Sequence, residues 1–351
     1  MSEPLVIDGS LGEGGGQIVR SSLTLSMLSG RVVEIRNIRA GRKKPGLLNQ
    51  HLTAVNAARQ ICNGSVTGAE LGSQHLIFAP GRIQARAFEF AIGSAGSTIL
   101  VAQTLIPALM VADGQSSLEI EGGTHNSAAP PFEYLKYVYL PLLERLGPKF
   151  RSEILAWGFY PAGGGRIRIE ISPEKNLSGF NLLETGGESE PNVTALVSRL
   201  PLTIAERECT FIRHKAGWKA KQCESVRITN SPGPGNVVMI RLAFPNVTEI
   251  FTGFGRRGLP AEEVAEFAWQ EVCAYLGNQA PVGEHLCDQL LLPLGMAAAL
   301  GQACQFVTGP LSLHSQTHVE LIKKFLPISI EVLPRGRHSV TVKIDRTPPS
   351  V

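Results

Sequence analysis

The stretch Asp8-Gly9-Ser10-Leu11-Gly12-Glu13-Gly14-Gly15-Gly16-Gln17-Ile18-Val19-Arg20-Ser21 decides how this chain is read. A short apolar run, Leu5-Val6-Ile7, leads into it, and Ser21 to Leu28 follows at helical spacing. Strand, glycine loop and helix together form an anion cradle, because glycines let backbone N–H groups approach an anion at a helix N-terminus. The loop lacks the Lys-Ser/Thr of a Walker sequence, and Gln17 stands where G-x-G-x-x-G needs its third glycine. The stretch therefore predicts an anion site and leaves the anion unnamed.

Working outward, the same pattern returns twice. The first unit predicts a helix over 17–28, a strand over 32–38, a second helix over 47–61 and a strand over 75–78. A second unit opens at Phe88 and passes Gly93-Ser94-Ala95-Gly96-Ser97. It predicts a helix over 99–111, a strand over 117–121, a helix over 132–146 and a strand over 166–171. A third opens at Val282-Gly283-Glu284, with helices over 286–300 and 315–325 and strands over 305–307, 328–333 and 339–344. The echo is one of pattern rather than identity. Such units need to pack their helix layers around a common core. Residues 184–276 differ in character and predict a small inserted α/β domain. Its Ser231–Asn236 reads as a hairpin-like turn, and its helix near Thr203 carries Glu206, Arg207 and Glu208 towards solvent. The fold class is thus α/β (α+β): three units, roughly 1–85, 86–183 and 277–351, form one domain, and 184–276 is set into it.

Composition narrows the class. With 351 residues, 43% hydrophobic and 18% charged, the chain can bury real cores and is not disordered. A formal charge of +3 is too small to require nucleic acid, so any basic site is local. Six scattered cysteines without a C-x-x-C pair read as reduced thiols in an intracellular, cytoplasmic protein. No run predicts a membrane span.

Several residues could carry chemistry. Arg39-Ala40-Gly41-Arg42-Lys43-Lys44-Pro45-Gly46 is the densest basic cluster and precedes Gln50-His51. Exposed basic loops are commonly just solvated, but here two glycines and a proline shape the loop beside a helix start, which suits a phosphate. Glu13 can complement the helix dipole or hold a divalent cation. Gln103 is a lone amide in an apolar helix and needs partners. Asp288 and Gln289 enter another apolar helix, where they suit a dipole or a nucleoside edge. His314 and His318 share a helix face at zinc spacing, but no third ligand is evident and zinc is not expected. An imidazole at a helix N-terminus is biased towards its neutral, nucleophilic form and could attack a phosphoryl group.

Taken in order, these motifs resemble the RNA 3′-terminal phosphate cyclases. The resemblance rests on Asp8-Gly9, Gly12–Gln17 with Arg20, Ile38–Arg42 with Lys44–Leu47, and Gln50–Leu52. It continues through Gly93–Ser97 with Gln103, Gly122-Gly123-Thr124 before Pro130-Pro131, Gly158–Gly165, Asp288–Leu290 and His314. It implies units of two helices and a four-stranded sheet, akin to the carboxyl-terminal domain of translation initiation factor 3, with a smaller inserted domain. It also implies a ligase that uses ATP and a divalent cation, Mg2+ or Mn2+, on RNA bearing a 3′-phosphate. A histidine would take AMP, pass it to the RNA phosphate, and the vicinal 2′-hydroxyl would close a 2′,3′-cyclic phosphate.

Carried over by position, His314 is the adenylylated nucleophile. Gln103, Pro130, His285, Leu286, Cys287, Asp288 and Gln289 surround ATP or AMP. Glu13 holds the metal, while Arg20, Arg39, Arg42, Gln50 and His51 face the RNA end or phosphates. The chain departs from the family at His285, where tyrosine is usual, and at His318, where asparagine is common. Two alternatives stand beside this reading: a non-catalytic cyclase-like ribosome-assembly protein, against which His314 argues, and an enolpyruvyl transferase. No membrane partner is expected, and a homodimer is left open.

Overall fold

Among the residues the computed structural model describes, 3–12 and 14–348, there are four sheets of four strands each. The first holds β1 (Leu5–Asp8), β2 (Val33–Arg36), β3 (Ser65–Thr67) and β4 (Leu76–Ala79) in the order β1-β2-β4-β3. Helix α1 (Gly16–Ser29) joins β1 to β2, and α2 (Asn49–Cys62) joins β2 to β3. β1 and β2 are parallel, which demands a long crossover, and α1 supplies it. β4 is antiparallel to both its neighbours.

The second sheet repeats this topology with β5 (Ala87–Ala91), β6 (Ser116–Gly122), β7 (Lys149–Ala156) and β8 (Gly165–Ser172), ordered β5-β6-β8-β7. Its crossovers are α3 (Thr98–Leu109) and a helical stretch made of α4 (Phe132–Tyr134), a π-helical turn at Leu135–Tyr139, and α5 (Leu140–Glu144). After a two-residue strand, β9 (Asn181–Leu182), the chain enters a different sheet. This comprises β10 (Glu190–Ser198), β11 (Cys223–Ile228), β12 (Gly235–Ala243) and β13 (Thr248–Phe254) in the order β11-β10-β12-β13, with helices α6 (Leu202–Ala216) and α7 (Ala261–Gly277). Beyond it come α8 (Glu284–Ala299), β14 (Cys304–Thr308), α9 (Leu313–Phe325), β15 (Ile328–Arg335) and β16 (Ser339–Arg346). The last sheet is ordered β15-β16-β14-β9, with β9 parallel to β14. One strand order and sense thus recurs in three sheets.

Helix α1 lies at the centre, packed against α2, α3 and α9. Leu23 and Leu25 are fully buried, and burial of each contributes roughly 2–3 kcal/mol. Small hydroxyl residues let the neighbouring helices approach; the Thr24 hydroxyl donates to the Thr104 carbonyl of α3 at 2.7 Å. A second, separate core is formed by β10, β12, β13, α6 and α7, among them Val193, Ile240, Val264 and Val272.

Three expectations are corrected. Ser231–Asn236 is not a hairpin, because β11 and β12 are separated by β10 and the loop crosses it. Glu208 does not face solvent; it is fully buried. The third unit does not begin at Val282, since its sheet takes β9 from before the intervening segment.

Candidate active site

The glycine loop carries the chain from β1 into the N-terminus of α1. Gly15 is its N-cap and, among the described residues, no side chain caps it and no acidic residue stands in its first turn, an arrangement that suits an anion. Gly12 and Gly14 adopt φ of 59° and 54°, where glycine is favoured. The backbone is approached closely. A Cβ on Gly15 would stand 3.2 Å from Arg42 Nη2 and 3.9 Å from His314 Cε1. A Cβ on Gly16 would stand 2.2 Å from His51 Nε2 and 3.0 Å from Arg20 Nη1. Four predicted residues therefore meet at two adjacent glycines.

His314 lies in the first turn of α9, whose N-cap Ser312 accepts from the Ser315 N–H. Its Nδ1 is 2.8 Å from Gln17 Oε1. The Gln17 amide nitrogen donates to Asp288 Oδ1. Asp288 Oδ1 also lies 3.0 Å from His318 Nδ1, and His318 Nε2 lies 3.0 Å from the Ser21 hydroxyl. Burial alone would push the Asp288 carboxyl up, but His318, His314 and Gln17 outweigh it and hold it below the usual carboxylate value. An ionised carboxylate only accepts, so Gln17 turns its nitrogen to Asp288 and its oxygen to His314. That oxygen accepts only. His314 Nδ1 is therefore the donor in this contact.

A cavity of about 740 Å³ opens beside His314. Pro130, His285, Asp288, Gln289, Arg20 and Gln17 all line it, as do β13 and α7 of the intervening segment through Phe254 and Phe267. Gln103 lies in a smaller adjoining chamber and donates to Gln289 Oε1 at 2.5 Å. Leu286 and Cys287 are turned into the core, and burial pushes the Cys287 thiol up to about 12.

The remaining predicted residues divide by role. Burial, with the charges of Arg20 and Arg39, lowers His51 to about 3, so its ring is neutral. Its Nδ1 accepts the Leu48 N–H at 3.1 Å, which leaves Nε2–H as a donor beside Gly16. Burial pushes Arg20 down to about 10, and it stays charged at neutral pH. Arg39 donates to the Lys44 and Gly46 carbonyls at 2.7 and 2.8 Å and so closes its own loop. Gln50 accepts the Ser97 N–H at 2.7 Å and ties α2 to the start of α3. Glu13, the expected metal ligand, lies outside the described residues.

Sequence reasoning gave no role to Gln17 or His318, although the i,i+4 spacing of His314 and His318 already put both on one face. It also missed His125, which is buried, pairs with Glu133 at 2.7 Å and lines the cavity.

Fold and cleft together define an α+β protein with a histidine-bearing cleft at the N-termini of α1, α8 and α9. Comparison with known proteins is specific. The family model for RNA 3′-terminal phosphate cyclase matches residues 11–332. An RNA 3′-terminal phosphate cyclase of Koribacter versatilis is 46% identical over 93% of this chain and 91% of its own length. One from Salmonella paratyphi C is 43% identical over 99% of this chain and 98% of its own. The chain belongs to the RNA 3′-terminal phosphate cyclase family, and it is an enzyme. A solved EPSP synthase from Acinetobacter baumannii aligns over 99% of this chain and 65% of its own, but at 11% identity and a TM-score of 0.29 it carries no argument. Among the described residues, no helix is long and apolar enough to cross a membrane.

Proposed function

We propose that this chain uses ATP to convert an RNA 3′-terminal phosphate into a 2′,3′-cyclic phosphate, with His314 as the nucleophile. The observation that carries this reading is the Gln17 bridge, which ties the His314 ring to α1 and Asp288 at the mouth of the cavity. In the first step the Nε2 lone pair of His314 attacks the α-phosphorus of ATP. The bond from phosphorus to the bridging oxygen breaks, pyrophosphate leaves, and AMP remains on Nε2. The ring becomes cationic, with its Nδ1–H still donated to Gln17 and the Asp288 carboxylate one hydrogen bond further on. The developing charge is therefore met by groups already in place.

In the second step an RNA 3′-phosphate oxygen attacks the same phosphorus and displaces His314, giving an RNA–pp–A end. The vicinal 2′-hydroxyl then attacks the RNA phosphorus and AMP leaves. A phosphate dianion is a poor electrophile until it carries such a leaving group, and closure gains from proximity. The α1 N-terminus, with Arg20, Arg42 and the His51 Nε2–H gathered at Gly15 and Gly16, suits the incoming RNA phosphate. Pro130, His285, Asp288 and Gln289 suit the nucleotide, with Gln103 holding Gln289. Glu13 is proposed to hold a divalent cation, Mg2+ or Mn2+. On this reading residues 184–276 form a domain set into a catalytic domain of 1–183 and 277–351, working in the cytoplasm.

The test is covalent labelling. Protein incubated with α-labelled ATP and a divalent cation should retain acid-labile, base-stable label, and His314→Ala should retain none. Equal labelling of both proteins, or of neither, would overturn the assignment.

A further inference from the structure

We infer, resting on the reading of the cleft as a cyclase site, that Tyr160 is a stacking platform for a base at the 3′ end of the RNA substrate. Tyr160 stands in the stretch 158–165 that joins β7 to β8, Gly-Phe-Tyr-Pro-Ala-Gly-Gly-Gly, to which the nucleotidyl chemistry gives no task. Its two aromatic neighbours in sequence have opposite fates. Phe159 is 2% exposed and stacks on the His125 ring at 5.3 Å. Tyr160 is 77% exposed, the most exposed large apolar or aromatic side chain among the described residues. Both line the cavity that Arg20 and His314 also line.

A single exposed aromatic needs no explanation in itself. This one is held out by a loop with little freedom. The Gly158 N–H donates to the Thr124 hydroxyl at 2.9 Å, and the Gly158 carbonyl accepts the Thr124 N–H at 2.8 Å. The Gly163 N–H closes the turn on the Phe159 carbonyl at 2.8 Å. Gly163 lies so close to the 93–97 loop that a Cβ on it would stand 3.0 Å from Ala95 Cα. That loop is tied through the Ser97 N–H to Gln50, the neighbour of His51. The ring is therefore carried on the same frame as the groups gathered at Gly15 and Gly16.

The chemistry of the wall selects what covers the ring. A tyrosine face is broad, rigid and amphipathic, and every base has a π-face to lay on it. An RNA whose 3′-phosphate sits at the α1 N-terminus leaves the cavity as a strand, and its unpaired end bases stack on aromatic side chains where these are offered. AMP has no such continuation, and a ring this exposed suits a ligand that itself remains partly in solvent. Arg256, on the loop after β13, lines the same cavity, so a leaving strand is offered a cation as well as an aromatic face.

The test is a binding titration of the full chain, without ATP, against a short single-stranded RNA carrying a 3′-phosphate and a 5′ fluorophore, read by anisotropy. Tyr160→Ala should bind it about 10-fold more weakly, and Tyr160→Phe within about twofold of wild type, whichever base ends the strand. An abasic ribose at the terminal or the preceding position should, at one of the two, weaken wild type about 10-fold, yet cost Tyr160→Ala nothing further. That comparison alters the RNA and leaves the protein's folding untouched. The ATP concentration for half-maximal self-adenylylation should be the same in wild type and Tyr160→Ala; a rise there with unchanged RNA affinity would put the ring at the adenine and overturn the inference. Equal RNA affinity of wild type and Tyr160→Ala, or losses from alanine and abasic ribose that simply add, would overturn it too, with the cyclase reading left standing. A wild type that binds the 3′-phosphate RNA no better than the same RNA ending in a hydroxyl would overturn both.

Discussion

Glu208 offers a stability prediction whose sign changes with pH. Its carboxyl is fully buried on α6, where Oε2 accepts from Asn236 Nδ2 at 3.0 Å and Oε1 meets no partner. Burial pushes its pKa from 4.5 to about 8. The group is therefore neutral in the fold, but ionises above 4.5 once the chain unfolds. Between those values the unfolded state binds fewer protons, so stability falls as pH rises. At about 1.4 kcal/mol per pH unit, roughly 3 kcal/mol is lost by pH 7. Glu208→Gln removes the titration and leaves an amide N–H unpartnered where Oε1 stood, at a cost of about 1–2 kcal/mol. We expect the variant to be more stable than wild type by about 2–3 kcal/mol at pH 7.5, and less stable by about 1 kcal/mol at pH 4.5. Trp218 and Trp269 pack edge-on at 5.7 Å against the same core, so their fluorescence during guanidinium unfolding reports this segment. Glu249, also pushed up to about 8 by burial, adds the same slope to both proteins and cancels in the difference. A variant less stable at pH 7.5, or a gain that does not shrink as pH falls, would refute the account of Glu208.

Other outcomes follow from the cleft. Arg42→Ala should weaken use of an RNA 3′-phosphate about 10-fold or more while changing self-adenylylation less, because its guanidinium stands at Gly15 on the α1 N-terminus; equal losses in both steps, measured separately, would place it at the nucleotide instead. Gly16→Ala should lower RNA cyclisation by at least about 10-fold, since the new Cβ would stand 2.2 Å from His51 Nε2 and displace it; full activity with a normally placed His51 in a crystal structure would argue against a role for that contact.

Much of the fold was legible because its patterns are local. β6 alternates buried and half-buried residues along its whole length, and β8 does nearly the same. Helix α1 was legible from its apolar spacing and its glycine start. What escaped was either short or set by distant partners. β9 is two residues long and is a strand only because β14 lies beside it. β7, Lys149–Ala156, carries charges along a poorly buried strand, so its alternation is weak. Glu208 was misread although the signal was present: Ala205, Cys209 and Ile212 form the buried stripe of α6, and position 208 falls within it.

The site divides along the same line. Motif resemblance named most of its residues, and the structure brings His314, Arg20, Arg42 and His51 to Gly15 and Gly16. Resemblance could not say what each atom does. Gln17 and His314 are 297 positions apart, and no periodicity within either helix connects them. The meaning of Gln17 appears only once a carboxylate from α8 meets its nitrogen and so assigns its oxygen. The glycines before it then take a second role. They bring α1 close enough for one residue of its first turn to bridge α8 and α9, while no side chain among the described residues caps its leading N–H groups. A Walker lysine at this point would bring a charge to the anion but no acceptor to a histidine. A glutamine with an anchored amide does the opposite: it offers His314 an acceptor and brings the anion no charge.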